Sequence, residues 1–175
     1  MPNIILRKLT TGDVASYHQI TSDEAVMQYI TGAVYTFDET EEEVHRLVNR
    51  FRDHPVLGVW VIIHRDSMQF VGLGALIGNS EAEAHIGFRV RPQLWGRGYG
   101  TSIARHLLQL AMEGGIHKIS ARVDEANLPS RKIFKALGFT WVGCENNEWD
   151  REDLIFEKIL PDEKTEPKKR ENEKV

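Results

Sequence analysis

Apolar and polar positions change their spacing several times along the chain, and this pattern predicts a mixed α/β fold. Short apolar runs between turn-forming residues predict strands at 3–9, 56–64, 68–77, 82–90, 118–124, 139–144 and 153–159. Apolar residues that recur every three to four positions predict helices at 14–21, 22–31, 40–53, 101–113 and 129–137. The three strands between residues 56 and 90 follow one another through short turns, which favours an antiparallel meander. The order of strands and helices indicates an α/β (α+β) domain.

Two local features refine this prediction. Thr40 and Glu43 have the spacing of a capping box, so the helix over 40–53 is expected to begin at Thr40. The aromatic residues Trp60, Phe139 and Trp141 are expected in the core, and Cys144 is expected to be a small buried side chain.

Composition limits the kind of protein. The 175 residues are 41% hydrophobic and 27% charged, which fits one globular domain over 1–160. Residues 161–175 are almost all polar or charged and predict a disordered tail. The net charge of −4 argues against nucleic acid as a partner. A single cysteine, no leader-like start and no apolar run of membrane length predict a cytoplasmic protein without a membrane partner.

The stretch AHIGFRVRPQLWGRGYGT (84–101) holds the candidate chemistry. A predicted strand leads into a loop with Gly96, Gly98 and Gly100, and a predicted helix follows. Glycines allow backbone N–H groups to turn toward an anion, and the start of the helix adds unpaired donors. The loop is therefore predicted to bind a pyrophosphate. No Lys-Ser/Thr pair follows the glycines, which argues against a P-loop, and no long βαβ repeat surrounds them, which argues against a dinucleotide-binding fold.

Three segments resemble the GNAT (GCN5-related) N-acetyltransferases, in the branch of the ribosomal-protein N-terminal acetyltransferases. WGRGYGT (95–101) resembles the acetyl-CoA loop, NLPSRKIFKALGF (127–139) resembles the second family signature, and ILRKLTTGD (5–13) with EAVMQYI (24–30) resembles the start of that branch. The resemblance covers residues 4–160. Trp95 stands where the family usually has Gln or Arg, which is common in the same branch.

The resemblance implies the GNAT fold, a mixed central sheet that splays between strands 4 and 5, with flanking helices. It also implies that acetyl-CoA lies in the gap as the acetyl donor, with backbone groups of Phe88 and Val90 along its pantetheine arm and the Val90 N–H facing the thioester oxygen. Asn127 would contact the arm from the far wall. The residues expected to bind the cofactor are Phe88, Arg89, Val90, Gly96, Arg97, Gly98, Tyr99, Gly100, Thr101, Asn127, Ser130 and Phe134.

The implied reaction is acetyl transfer to a primary amine, for which a general base and an acid are sought. His85 and Glu83 are the candidate bases, since they share one face of their strand; each can instead simply shape the groove. Many relatives have a catalytic tyrosine where this chain has Phe134, so Ser130 is the remaining candidate acid. Ser130 can also be only a helix-capping residue, and a CoA thiolate can leave without an acid.

The acceptor is expected to be either a protein N-terminus or a small amine, and the acidic run 41–43 offers carboxylates for a polycation if it is not only a helix start. Tyr29, Tyr35 and Phe37 either line the acceptor groove or pack beneath a loop. The alternative function is a non-catalytic domain that binds or senses acyl-CoA. His45, His54 and His64 lack metal-ligand spacing, so no metal is expected. The chain is expected to be a monomer or a homodimer.

Overall fold

The structure is a computed structural model that describes residues 1–78, 80 and 82–161. Its strands in chain order are β1 (Ile4–Lys8), β2 (Gly58–His64), β3 (Phe70–Ile77), β4 (Glu83–Val90), β5 (Lys118–Asp124), β6 (Thr140–Asn146) and β7 (Glu152–Ile159). Its helices are α1 (Val14–Thr21), α2 (Glu24–Met27), α3 (Phe37–Arg50), α4 (Tyr99–Glu113) and α5 (Leu128–Ala136). Apart from Pro161, the predicted tail lies outside the described residues. None of the described helices combines the length and apolar character that crossing a membrane requires.

One mixed sheet organises the fold, with the strand order β1-β2-β3-β4-β5-β7-β6. The first four strands are antiparallel, as the meander predicted, whereas β4 and β5 run parallel. The β4–β5 pairing extends only from Glu83 opposite Lys118 to His85 opposite Ser120. The rest of β4, up to Val90, has no partner on β5 among the described residues. This separation is the predicted splay between strands 4 and 5, and the expected fold is confirmed.

The two faces of the sheet pack against different helices. A Cβ at Gly74 would lie 3.0 Å from Leu107 on α4, so this glycine allows α4 to approach the sheet closely. Phe88 lies opposite Gly74 and therefore faces α4 as well. Side chains alternate along a strand, so Gly87 and Arg89 lie on the other face, on the side of α1 and α3. Successive β4 residues therefore face opposite sides of the sheet, either toward α4 or toward α1 and α3.

The start of α3 differs from the sequence prediction by one turn. The N-cap is Thr36, whose Oγ1 accepts from the Glu39 N–H at 3.2 Å, while the Glu39 carboxylate accepts from the Thr36 N–H at 2.7 Å. The predicted capping box at Thr40 and Glu43 is wrong because the Thr-x-x-Glu spacing occurs twice in succession. Thr40 is fully buried, and its hydroxyl lies 2.8 Å from that of Thr21 on α1.

The prediction that the aromatic residues lie in the core is correct for some of them. Phe139 is buried, and Trp60 is half-buried with its Nε1 donating to the Val56 carbonyl at 3.2 Å. Trp141 is instead 56% exposed, and Cys144 is exposed as well. Both lie on β6, which is the edge strand of the sheet, so one side of the strand has no neighbour to cover it. The prediction that these two residues are buried is wrong.

Candidate active site

The splay between β4 and β5 contains two connected cavities. The first, here called the loop cavity, has a volume of about 430 Å³ and lies between the end of β4, the glycine loop and the start of α5. The second, the α3 cavity, has a volume of about 560 Å³ and lies on the α1 and α3 side of the sheet. The residues that line both cavities form their junction: Tyr29, Ile30, Phe88, Arg89, Asn127 and Ser130. Two molecules bound in the two cavities would therefore meet at this junction.

The glycine loop has the geometry that an anion site needs. Gly96 and Gly98 adopt φ values of +71° and +81°, which side-chain-bearing residues rarely adopt. Gly98 is the N-cap of α4, so this helix begins two residues before the predicted Thr101. Its free N–H groups point out of the first turn at the positive end of the helix dipole. The loop cavity is lined by five of the predicted loop residues: Gly96, Gly98, Tyr99, Gly100 and Thr101.

Arg97 differs from its neighbours in the loop. Its side chain is exposed and lines an adjoining depression together with Arg91 and His64, rather than the loop cavity. Both arginines carry positive charge beside the glycine loop. Positive charge at this place favours an anionic ligand.

The end of β4 presents main-chain groups to the gap. The Arg91 N–H donates to the Val71 carbonyl at 3.0 Å, across the pairing of β4 with β3. Main-chain groups alternate sides along an antiparallel strand, so those of Val90 and Phe88 point away from β3 and into the splay. The Val90 carbonyl accepts from Trp95 Nε1 at 2.7 Å. Trp95 thus ties the loop to the end of the strand, and the Val90 N–H faces the gap.

The first turn of α5 forms the opposite wall of the junction. Asn127 is the N-cap, and its Oδ1 accepts from the Ser130 N–H at 3.2 Å. Ser130 is half-buried, and it borders both cavities. Phe134 is buried, with its ring centroid 5.6 Å from that of Phe88 and 5.0 Å from that of Phe139. A hydroxyl is absent at Phe134, so Ser130 is the hydroxyl that this turn offers to the junction.

The two candidate bases have different surroundings. His85 lines the α3 cavity, and its Nδ1 lies 3.4 Å from the Ser120 hydroxyl. Burial, with the nearby charge of Arg122 as a second cause, lowers the pKa of His85 from 6.5 to about 4, so the imidazole is neutral at neutral pH. Glu83 is exposed and borders a separate depression beside Glu157. The structure therefore brings His85, and not Glu83, to the cavities.

Comparison with known proteins identifies the family. Residues 3–140 match the acetyltransferase (GNAT) domain family. The chain belongs to this family. It is an acetyl-CoA-dependent N-acetyltransferase. Over 160 residues it is 26% identical to the uncharacterized N-acetyltransferase YnaD of Bacillus subtilis, a match that covers 83% of this chain and 88% of YnaD.

Solved GNAT structures support the fold. Spermidine N-acetyltransferase from Vibrio cholerae, solved with CoA and spermine, gives a TM-score of 0.76 at 21% identity and covers 90% of this chain and 95% of its own. RimL, a ribosomal L7/L12 alpha-N-protein acetyltransferase solved with CoA, gives 0.78 at 17% identity, with coverages of 91% and 96%. At these identities the likeness concerns the fold, and the ribosomal branch is one of several kinds of GNAT protein with this architecture.

The α3 cavity of this acetyltransferase contains Glu43, from the acidic run 41–43 that the sequence offered for the acceptor, and further charged residues that the sequence did not indicate. Glu43 from α3 lines it and bonds Arg46 at 2.6 Å, and Asp124 from β5 lines it and pairs with Arg151. Further residues come from α1 and from the turn between β6 and β7: Tyr17, Asn147, Glu148 and Trp149. These residues are far apart in sequence and carry no shared motif, so only the fold brings them together.

Of the aromatic candidates for the acceptor groove, Tyr29 lines both cavities. Phe37 is exposed at the start of α3, where its ring contacts His18 edge-on. Tyr35 is half-buried, and burial raises its pKa. Among the described residues, no group of three or more His, Cys, Asp or Glu side chains is arranged to hold a metal ion.

Proposed function

We propose that the enzyme transfers the acetyl group of acetyl-CoA to a primary amine by direct attack of the amine on the thioester. The observation that carries this proposal is the junction, where Phe88, Asn127 and Ser130 border both cavities. A donor in the loop cavity and an amine in the α3 cavity would meet there in one complex. Proximity of this kind removes the need for a covalent intermediate on the protein.

The loop cavity suits the donor. The N–H groups of the glycine loop and the first turn of α4 would bind the pyrophosphate. The pantetheine arm would lie beside β4 like an added strand, paired with main-chain groups of Phe88 and Val90, and Asn127 would contact it from α5. The Val90 N–H would then donate to the thioester oxygen, where negative charge develops during attack.

In the proposed step, the amine nitrogen bonds to the carbonyl carbon, and the tetrahedral intermediate collapses as the C–S bond breaks. The CoA sulfur leaves with the electron pair and takes a proton, for which the Ser130 hydroxyl is the candidate donor; the serine oxygen regains a proton from water in the same step. The amine loses one proton. His85 is the candidate relay for that proton to water, because it lines the α3 cavity and its lowered pKa keeps the imidazole neutral, with a free nitrogen lone pair, at neutral pH.

The acceptor is a primary amine of a protein N-terminus or of a small molecule. Spermidine N-acetyltransferase and RimL, both similar in fold to this chain, represent these two classes. Because the acetyltransferase machinery lies in elements that both share, the choice between the classes rests on the α3 cavity.

The test is thiol release from acetyl-CoA with a panel of amines, including peptides with ribosomal-protein-like N-termini. We expect turnover on one acceptor class, and a reduction of roughly 100-fold in kcat for Ser130→Ala, with CoA binding measured separately by calorimetry. His85→Ala should lower kcat, whereas Glu83→Gln, outside the cavities, should not. Loss of activity in Glu83→Gln alone would contradict the assignment of the relay. Tight CoA binding without turnover on any amine would instead support a domain that binds or senses acyl-CoA.

A further inference from the structure

Arg89 is a cation at the junction without an acidic partner in the described part of the chain. It is half-buried, borders both cavities and lies on the α1 and α3 face of the sheet. No carboxylate of the described residues lies within ion-pair distance of its guanidinium. Its charge acts instead on the phenols of Tyr17 and Tyr35. Burial raises the pKa of Tyr17 to about 12 and also raises that of Tyr35, so both phenols stay neutral at neutral pH.

The carboxylates of the α3 cavity are mostly occupied by other groups. Glu43 bonds Arg46 at 2.6 Å, and Asp124 pairs with Arg151. Asp153 is buried and accepts from an asparagine side chain at 3.2 Å. Glu148 is exposed at the rim of the cavity. None of these four carboxylates forms an ion pair with Arg89, so its guanidinium remains available to a ligand.

A half-buried guanidinium without an acidic partner can bind an anionic group of a ligand in the cavity that it borders. The planar fork of an arginine matches a carboxylate, with which it forms two parallel hydrogen bonds. A purely cationic acceptor, such as a polyamine, would instead bring like charge close to the guanidinium at the point of reaction. The residue thus favours an acceptor that is anionic near its amine.

We propose that Arg89 binds a carboxylate of the acceptor, located on the carbon that bears the reacting amine or within a few bonds of it. This inference rests on the proposed function, because it needs an amine at the junction. The Val90 N–H, which would hold the thioester oxygen, belongs to the next residue of β4, so the carboxylate and the reacting nitrogen would lie close together. Two sources supply this chemistry: a free amino acid, or a chain whose first residue is Asp or Glu.

The experiment compares acceptors with and without a carboxylate. The arms are glutamate against its dimethyl ester, a peptide that begins with Asp against one that begins with Asn, and spermidine. The variants are Arg89→Gln and Arg89→Lys, and the matched control is Arg52→Gln, an exposed arginine at the end of α3 outside the cavities. Calorimetric CoA binding and thermal unfolding are measured on every variant.

We expect the wild type to favour one carboxylate-bearing acceptor over its neutral analogue by roughly 10- to 100-fold in kcat/KM, through a lower KM. Arg89→Gln should bring the ratio of kcat/KM for the charged acceptor to that for its neutral analogue close to one, and Arg89→Lys should retain part of the preference. Arg52→Gln should behave as the wild type. Preference for glutamate or for the Asp peptide identifies the source of the carboxylate.

Three results would overturn the inference. Equal turnover of charged and neutral acceptors, or a preference for spermidine, would refute it while the proposed function stands. Weaker CoA binding in Arg89→Gln, with equal losses on all acceptors, would assign the side chain to the cofactor. No turnover on any amine, with CoA bound tightly by the wild type, would refute the proposed function and this inference with it.

Discussion

The buried imidazole of His85 predicts a defined loss of stability in acid. Its pKa falls from 6.5 to about 4 on folding, because burial, aided by the charge of Arg122, disfavours the imidazolium. Between these two values the unfolded chain binds a proton that the folded chain does not. The stability contribution of the neutral imidazole is therefore fully present above pH 6.5 and is lost as the pH falls toward 4. At about 1.4 kcal/mol per pH unit, the loss reaches about 3 kcal/mol.

Urea unfolding of the wild type and His85→Gln, at steps from about pH 7.5 to about pH 4.5, measures this term. Glutamine keeps a polar group near the Ser120 hydroxyl but does not titrate, and all other groups titrate in both proteins. As the pH decreases, the free energy of unfolding should fall more steeply for the wild type than for His85→Gln. The difference between the two proteins should change by up to about 3 kcal/mol across the pH range. His45→Gln removes an exposed histidine of α3 and is the matched control. Parallel curves for wild type and His85→Gln would refute the reasoning.

The remaining predictions separate the two cavities and the strand end. A Cβ at Gly87 meets no atom within 4 Å, so Gly87→Val should fold and bind CoA as the wild type does, but raise the KM for the amine. A Cβ at Gly100 would lie 3.0 Å from the Phe88 ring, so Gly100→Ala should weaken CoA binding in calorimetry and lower the thermal midpoint. Equal effects of Gly87→Val and Gly100→Ala on CoA binding would contradict the expected difference between the two cavities. Trp95→Phe removes the hydrogen bond to the Val90 carbonyl. It should lower the free energy of unfolding in urea by about 1 kcal/mol and raise the KM for acetyl-CoA. If both values stay unchanged, Trp95 does not fix the loop to the end of β4.

The sequence indicates the elements around the loop cavity because their signals are local. Gly96 and Gly98 need positive φ, and the loop that they form lies between one strand and the helix that follows it. Asn127 and Ser130 likewise belong to one helix start. Signals of this kind depend on a few successive residues, so they survive without knowledge of the tertiary structure.

The composition of the α3 cavity depends on which strands and helices become neighbours. Glu43 and Asp124 reach the same cavity only because α3 and β5 lie on either side of the splay. Similarly, periodicity cannot tell an edge strand from a central one, which is why Trp141 was expected in the core. The α3 start was misplaced because two overlapping capping boxes differ only in whether their threonine, Thr36 or Thr40, faces the protein interior.

The alternation of side chains along β4 has a consequence for the kinetics of this enzyme. Phe88 faces α4, whereas Gly87 and Arg89 face α1 and α3, so the two cavities extend to opposite sides of one strand and meet at the junction. In the proposed function, each substrate therefore has a cavity of its own. Neither substrate needs the other to leave before it binds. We therefore expect intersecting lines in double-reciprocal plots, and CoA should compete with acetyl-CoA but not with the amine. Substitutions in α1 and α3 can then change acceptor preference over evolution while the donor side stays unaltered.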